Sequence, residues 1–142
     1  MKKFKSLLIF AFFATSFCGY GQDYLSPDAY LGYPLGTRFT PHYKVVDYFK
    51  YLANGYAQKM KIQSYGVTNE GRELLIAVVS SPENMSSIKE IQKNNLRLTS
   101  HQMDKIGDVN MPAIVWLSYN VHGNEASSTE VAMKLLYELV SG

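Results

Sequence analysis

A histidine and a glutamate stand three positions apart, as His122 and Glu125, in the stretch NVHGNEASSTE of residues 120–130. Side chains with this spacing can point the same way across a helical turn or a tight loop. An imidazole nitrogen and a carboxylate oxygen both offer lone pairs to a metal ion. Gly123 lets the backbone turn closely between them, and the small side chain of Ala126 leaves room for an ion. The pair therefore has the composition of part of a metal site.

The metal that suits an imidazole and a carboxylate is zinc, which hydrolytic sites hold with three protein ligands, two histidines and a glutamate being one standard set. Water on such a zinc ion has a pKa of about 7, so hydroxide is available at neutral pH. The competing interpretation places Glu125 at the start of a helix, where the helix dipole stabilises its charge, and treats His122 as an ordinary loop residue. The chain has three histidines, and this spacing also arises by chance. The spacing alone leaves both interpretations open.

Two segments flank the pair and would position it. Residues 111–121, MPAIVWLSYNV, are continuously apolar from Ala113 to Leu117, which predicts a buried strand of a parallel or mixed sheet. Ligand sites of open α/β sheets lie beyond the carboxyl ends of such strands. The following STEVAMKLLYELV predicts a helix. Its predicted buried stripe consists of Val131, Leu135, Leu136 and Leu139.

The residues that follow the predicted signal peptide fall into two segments, an arm and a helix. Residues 22–40 are rich in glycine, proline and tyrosine, which predicts an extended N-terminal arm with its tyrosines packed on the domain. Thr40 as N-cap and Pro41 at the first helical position predict a helix that ends near Asn54 or Gly55.

The next segments predict the sheet. Residues 59–81 are typical of two strands joined by the turn TNEG, the second strand apolar enough to be buried on both faces. Ser86 or Ser87 is expected to begin a further helix. The order helix, strand, strand, helix, strand, helix predicts an α/β fold, a partial mixed sheet flanked by helices. A sheet whose central strand is so apolar needs neighbours on both edges, so the chain is expected to be a fragment of a longer protein.

The N-terminus has the pattern of a secretory signal peptide in residues 1–21. Lys2, Lys3 and Lys5 precede an apolar run from Leu7 to Phe17, which is shorter than the roughly 20 residues of a transmembrane helix. Small residues then predict cleavage after Gly21 and a secreted or periplasmic protein. The alternative is a lipoprotein anchored through Cys18, against which the bulky Phe17 argues.

The charge balance limits the classes of binding partner, and the cysteine content limits how the protein can be stabilised. The sequence has 14 basic and 12 acidic side chains, and without the three lysines of the signal the balance becomes 11 against 12. The mature chain is therefore not expected to bind nucleic acid or a membrane surface. Cys18 is the only cysteine and leaves with the signal, so a packed core or a bound ion must stabilise the exported protein.

Two stretches together resemble a known family. EGRELLIAVVSS and VWLSYNVHGNEASSTEVAMKLLYELV resemble the zinc carboxypeptidases of the carboxypeptidase A type, and YLGYPLGTRFTPHY is similar to the N-terminal segment of a secreted bacterial branch. The resemblance covers residues 24–142 and implies that His122 and Glu125 are the first two Zn²⁺ ligands. It also implies that Arg72 binds the peptide substrate away from the scissile bond, with Glu70 as a structural residue of the turn.

The resemblance implies that residues 41–142 are the N-terminal portion of the catalytic domain. The third ligand histidine, the arginines that bind the substrate carboxylate and the glutamate that serves as general base are expected beyond Gly142. The chain would then hold no catalytic base and would be inactive alone, although the parent protein would hydrolyse C-terminal peptide bonds of peptides or proteins. His42 and His101 do not occupy family ligand positions and are expected at the surface.

Two other functions stay open. Zinc deacylases of N-acyl amino acids also use an HGNE-like loop, although the Glu-Gly-Arg hairpin and the tyrosine-rich arm argue against them. The second alternative is a non-catalytic binding remnant that has kept the pocket and lost the chemistry. Because two ligands hold zinc poorly, the chain alone is expected to bind the ion weakly or less than stoichiometrically.

Overall fold

The computed structural model describes residues 24–100 and 111–142. The predicted signal peptide, Gly21, Cys18 and His101 lie outside the described residues. The described elements are α1 (Pro27–Leu31), α2 (His42–Gly55), β1 (Met60–Val67), β2 (Glu73–Val79), α3 (Pro82–Ser86), α4 (Ile88–Thr99) and α5 (Ser127–Ser141). Helices with a small two-stranded sheet confirm the predicted partial α/β fold class. None of the helices in residues 24–100 and 111–142 has the length and hydropathy needed to cross a bilayer.

The hydrophobic core lies where α2 meets the hairpin and α5. Helix α2 contributes Tyr48 and Leu52, which are four residues apart and therefore share one face of the helix. Met60 enters from β1, and Met133 and Val140 enter from α5; all five side chains are fully buried. Each buried side chain of this size stabilises the fold by about 1.5–3 kcal/mol. The core thus joins α2 and the hairpin directly to the C-terminal helix α5.

The N-terminal arm contains the short helix α1, which the sequence pattern did not predict. Helix α1 begins with Pro27, and the hydroxyl of Ser26 accepts a hydrogen bond from the backbone N–H of Ala29 at 3.4 Å. Proline at a first helical position after a serine cap is a standard start signal. The helix ends at Gly32, whose φ of 74° is a left-handed conformation that glycine adopts without strain.

The tyrosines of the arm pack on α2, as predicted. The ring centroids of Tyr24 and Tyr51 are 5.2 Å apart, and those of Tyr30 and Tyr48 are 4.9 Å apart. The Tyr48 hydroxyl donates to the Leu25 carbonyl at 3.0 Å, and the Leu25 N–H donates to the Tyr51 hydroxyl at 3.0 Å. Burial, with smaller contributions from neighbouring tyrosines and Asp28, raises the pKa of Tyr48. The phenol therefore stays neutral and remains a donor at ordinary pH.

Strands β1 and β2 form the predicted antiparallel hairpin, with an irregularity between Ser64 and Gly66. In its turn the Thr68 hydroxyl accepts from the backbone N–H groups of Glu70 at 3.3 Å and Arg72 at 3.1 Å. Strand β2 is only half-buried, with Val78 exposed, so the prediction that both its faces are buried is wrong. Helix α2 packs on the hairpin, and no second layer covers the hairpin in the described residues.

Residues 111–120, predicted as a central strand, have no strand conformation. In the described parts of the chain the sheet consists of β1 and β2 alone, so this segment does not make it mixed. The apolar side chains of residues 113–117 are exposed, Val115 by 76% and Trp116 by 73%. A continuous apolar run indicates burial only if neighbouring strands supply backbone partners and other elements cover both faces. Residues 24–100 and 122–142 supply neither.

Helix α5 buries a different stripe from the predicted one. Leu136 is buried as expected, but Val131 is 52% exposed and Leu139 is 51% exposed. The buried positions are Glu130, Met133, Leu136 and Val140. The prediction assumed that only apolar residues face the core. In the structure the buried face of α5 also includes Glu130, whose carboxylate is hydrogen-bonded there.

Helix starts differ in detail from the prediction. Helix α2 ends at Gly55 as predicted, but Pro41 is its N-cap, and Thr40 does not cap it because its hydroxyl bonds to Glu130 instead. Helix α4 follows Ser87 as predicted. The short helix α3 was not predicted; it starts at Pro82 and is capped by Ser81.

Candidate metal-binding site

The loop that carries His122 and Glu125 is built on the first turn of α5. Asn120 has a φ of 56°, a left-handed conformation that asparagine tolerates, and its side-chain Nδ2 donates to Thr129 Oγ1 at 2.6 Å. Two backbone hydrogen bonds then close the loop in helix-like turns: the Glu125 N–H donates to the His122 carbonyl, and the Ser128 N–H donates to the Glu125 carbonyl, each at 3.1 Å. Both ends of the loop are therefore tied to the start of α5.

The structure brings His122 and Glu125 together. His122 Nδ1 lies 2.8 Å from Glu125 Oε1, and both side chains are at least half exposed. A carboxylate accepts hydrogen bonds, so Nδ1 is the donor in this contact. A cation bound between the two groups would replace the hydrogen bond, because both residues would then donate lone pairs to the ion. The donor set fits zinc, which takes nitrogen and oxygen ligands in this combination.

The pair does not make a complete zinc site with other described residues. Among residues 24–100 and 111–142, no group of three or more histidine, cysteine, aspartate or glutamate side chains is close enough to hold a metal ion. Hydrolytic zinc sites use three protein ligands. The geometry is therefore that of two adjacent candidate ligands at the solvent-open start of a helix, and their role as zinc ligands stays a prediction.

His42 is a surface residue, as predicted. Its ring nitrogen Nε2 lies 2.9 Å from the carbonyl oxygen of Glu73, at the start of β2, and the residue is exposed. The Glu73 carboxylate bonds instead to Lys50 at 2.9 Å. This contact links the first turn of α2 to the hairpin and leaves His42 outside the His122 and Glu125 pair.

Arg72 lies on the hairpin turn. Its guanidinium forms an ion pair of 2.7 Å with Glu70, both side chains being exposed. This ion pair within the turn is consistent with a structural role for Glu70. Arg72 also lines an open cavity of about 650 Å³ between the turn and the start of α2, together with His42 and Asp47. In the described residues no hydrogen bond or ion pair joins Arg72 to His122 or Glu125, and its binding of substrate stays a prediction.

A residue that the sequence analysis missed is the buried Glu130, in the first turn of α5. Its Oε2 accepts from the backbone N–H of Gly36 at 2.5 Å, and its Oε1 accepts from the Thr40 hydroxyl at 2.7 Å. The helix N-terminus further stabilises this carboxylate. Ser127 and Glu130 have the S-x-x-E spacing of a capping box, but Ala126 is the N-cap and no side-chain cap hydrogen bond forms, so this spacing did not indicate the role of Glu130.

Comparison with known proteins places the whole region in one family. A family model described as zinc carboxypeptidase matches residues 45–142, a range that contains the hairpin, the loop of His122 and Glu125, and α5. The comparisons with curated proteins and with solved structures gave no match. Zinc carboxypeptidases are hydrolases that act on peptides and generally use zinc. Because the matched range spans more than half of the 142 residues, this chain belongs to the zinc carboxypeptidase family.

Proposed function

We propose that this chain is the exported N-terminal part of a zinc metallocarboxypeptidase of a secreted bacterial branch, and that His122 and Glu125 are its first two metal ligands. The observation that carries the proposal is the convergence of these side chains at 2.8 Å, open to solvent, within the range matched by the family. The substrate is a peptide or protein, cleaved at its C-terminal bond.

The residues of this chain would each have a limited role. His122 and Glu125 would hold the ion, which when bound supplies Lewis-acid chemistry toward a peptide carbonyl and makes water acidic enough to react at neutral pH. The exposed guanidinium of Arg72 would bind a carbonyl or carboxylate of the substrate by charge-assisted hydrogen bonds. The cavity beside it would receive part of the peptide.

The third ligand and the general base are proposed to come from chain that follows residue 142. Two observations support this: no third ligand joins the pair among the described residues, and the apolar side chains of 113–117 are exposed where further strands would cover them. The DNA downstream of codon 142 tests the proposal. A continuing frame with a histidine at the end of a later strand and a glutamate further on is expected, whereas a stop codon would favour a non-catalytic binding remnant.

Zinc binding tests the ligand assignment. In the 142-residue chain, calorimetry should show weak or substoichiometric zinc. In the longer polypeptide, one zinc ion should bind tightly, His122→Ala and Glu125→Gln should abolish that binding, and His42→Ala, a matched change of an exposed histidine, should leave it intact. Tight zinc binding that survives His122→Ala would refute the assignment.

Substrate class is tested with the same longer protein. Stepwise loss of C-terminal residues from a peptide ladder is expected, and this activity should disappear in the His122→Ala variant. Hydrolysis of N-acyl aspartate without peptide trimming would identify the protein as a deacylase instead.

Export is tested by N-terminal sequencing of the secreted protein. Gln22 as the first residue would support cleavage after Gly21, and an acylated Cys18 as the first residue would identify a lipoprotein.

A further inference from the structure

We propose that Glu130 is a positioning residue for the metal site: its carboxylate fixes the first turn of α5, and with it the loop of His122 and Glu125, to the N-terminal arm. The inference rests on the proposed function only in naming those two residues as ligands. The mechanical coupling that it describes, between the arm and the loop, exists whether or not metal is bound.

The Glu130 carboxylate is attached to the arm by a series of hydrogen bonds, which we call the anchor. The single hydroxyl hydrogen of Thr40 is donated to Glu130 Oε1 at 2.7 Å, so in its 3.1 Å contact with Tyr33 the Tyr33 hydroxyl must be the donor. Gly36 donates its backbone N–H to the other carboxylate oxygen. Arg38 and Lys44 lie over the Tyr33 ring at 4.4 Å and 5.4 Å and hold it in place. The carboxylate is therefore satisfied by residues of the arm.

The anchor is attached close to the candidate ligands. Glu130 follows Thr129, whose hydroxyl oxygen accepts a hydrogen bond of 2.6 Å from the side-chain amide of Asn120. Two consecutive residues of α5 thus bond to the arm on one side and to the start of the metal-site loop on the other. Glu125 precedes Glu130 by five residues, and the intervening backbone is closed by the Ser128 to Glu125 hydrogen bond. A displacement of the first turn of α5 would therefore move both ligands.

Packing alone would not fix this turn. The apolar residues of α5 that enter the core, Met133, Leu136 and Val140, lie one to three turns further along the helix. They secure the middle and end of α5, and dispersion contacts are non-directional. Hydrogen bonds to both oxygens of a buried carboxylate are directional, so they determine the rotation and height of the helix start.

The test uses Glu130→Gln, with Glu138→Gln as the matched control on an exposed position of the same helix. Amide hydrogen exchange of the 142-residue chain measures how often the loop of His122 and Glu125 opens in the absence of metal. Glu130→Gln should accelerate exchange at the Glu125 and Ser128 amides about tenfold, because the anchored turn opens more often. Glu138→Gln should leave both amides unchanged. Faster exchange confined to Gly36 and the arm would overturn the inference.

A second pair of variants applies if Glu130→Gln does not fold. Thr40→Val removes the donor at nearly constant volume, and Thr40→Ser keeps it. Exchange at the Glu125 and Ser128 amides should accelerate in Thr40→Val and return to the wild-type rate in Thr40→Ser. Equal exchange in the two variants would overturn the inference.

A metal titration separates the inference from the proposed function. In the zinc-binding polypeptide, Glu130→Gln should weaken zinc affinity about tenfold, as loss of a residue that orients ligands does. If Glu130→Gln binds zinc as tightly as wild type while His122→Ala does not bind it, Glu130 is not a positioning residue, although the assignment of the ligands stands. If wild type and His122→Ala both fail to bind zinc, the ligand assignment fails, and the exchange rates decide the coupling by themselves.

Discussion

Two leucines show how differently two apolar regions of this chain are used. Leu52, in α2, is fully buried between the arm, the hairpin and α5, whereas Leu117 is 53% exposed. Both lie in apolar sequence, and residues 113–117 form the more continuous run of the two. What differs is the set of neighbours: α2 is covered by other described elements, and residues 111–121 are not. Apolar sequence therefore indicates a need for burial, and the tertiary contacts decide whether burial occurs.

The candidate metal site lies at the boundary between these two regions. On its C-terminal side it continues into α5, which is fixed by core packing and by the hydrogen bonds of Glu130. On its N-terminal side it continues into the exposed segment, and the Asn120 bond to Thr129 is the described side-chain contact that ties that end down. The ligand loop is thus supported from one side by the described fold.

The sharpest test of the comparison replaces each leucine by alanine in the 142-residue chain. Leu52→Ala should lower the free energy of unfolding by about 3 kcal/mol, because it removes apolar contacts and leaves a cavity. Leu117→Ala should change it by less than about 0.5 kcal/mol, as exposed substitutions usually do. Urea denaturation followed by circular dichroism measures both values. Equal losses would mean that residues 111–121 are packed after all.

A smaller effect is expected from the arm. Tyr48→Phe removes the hydroxyl that donates to the Leu25 carbonyl, which should cost about 1 kcal/mol at pH 7. Tyr65→Phe, a change of the same atoms at an exposed position, should cost nothing measurable at that pH. A loss in Tyr65→Phe equal to that in Tyr48→Phe would contradict the assigned contact.

The same tyrosine predicts an alkaline dependence of stability. Burial raises the pKa of Tyr48, so the folded state favours the neutral phenol more strongly than the unfolded state does. This contribution is fully present below about pH 10, the ordinary tyrosine value, and is lost as the pH rises above it. Denaturation between pH 8 and 11 should show a smaller decline for Tyr48→Phe than for wild type. Parallel declines would contradict the prediction.

Only a small change in stability is expected at Trp116. It is the only tryptophan of the sequence and is 73% exposed, so Trp116→Phe should alter the free energy of unfolding by less than about 0.5 kcal/mol. Its fluorescence should be quenched by iodide almost as strongly in the native chain as in urea. Quenching several times weaker in the native chain would show that Trp116 is covered. In the longer polypeptide, the proposed additional strands should produce such protection.

Local features of the fold were predictable, and the reasons are local. The hairpin follows from alternating and apolar residues around a Thr-Asn-Glu-Gly turn, and Gly55 marks the end of α2 as expected. His122 and Glu125 were predicted to converge because they are three positions apart in the chain, and the structure places their side-chain atoms 2.8 Å apart. Short-range geometry leaves few alternatives for such features.

Three of the misassigned features depend on distant partners. Thr40 has the residue type of a helix cap, but its hydroxyl bonds to a carboxylate 90 positions away. The stripe of α5 was misassigned because Glu130 faces the core, which is favourable only when Gly36 and Thr40 are there to donate. The lack of strand conformation in residues 111–120 has the same cause, since a strand is stabilised by pairing that its own residues do not provide.

The sequence by itself determined the α/β class, the hairpin, the end of α2, the start of α4 and the pairing of an imidazole with a carboxylate at one helix start. The tertiary structure decided which face of α5 is buried, that the arm is held to that helix through Glu130, and that the apolar run of residues 113–117 remains exposed. The physical reason is the range of the interactions. Turn, cap and spacing preferences act between neighbours in the chain, whereas desolvation and the satisfaction of buried polar groups depend on which distant elements meet.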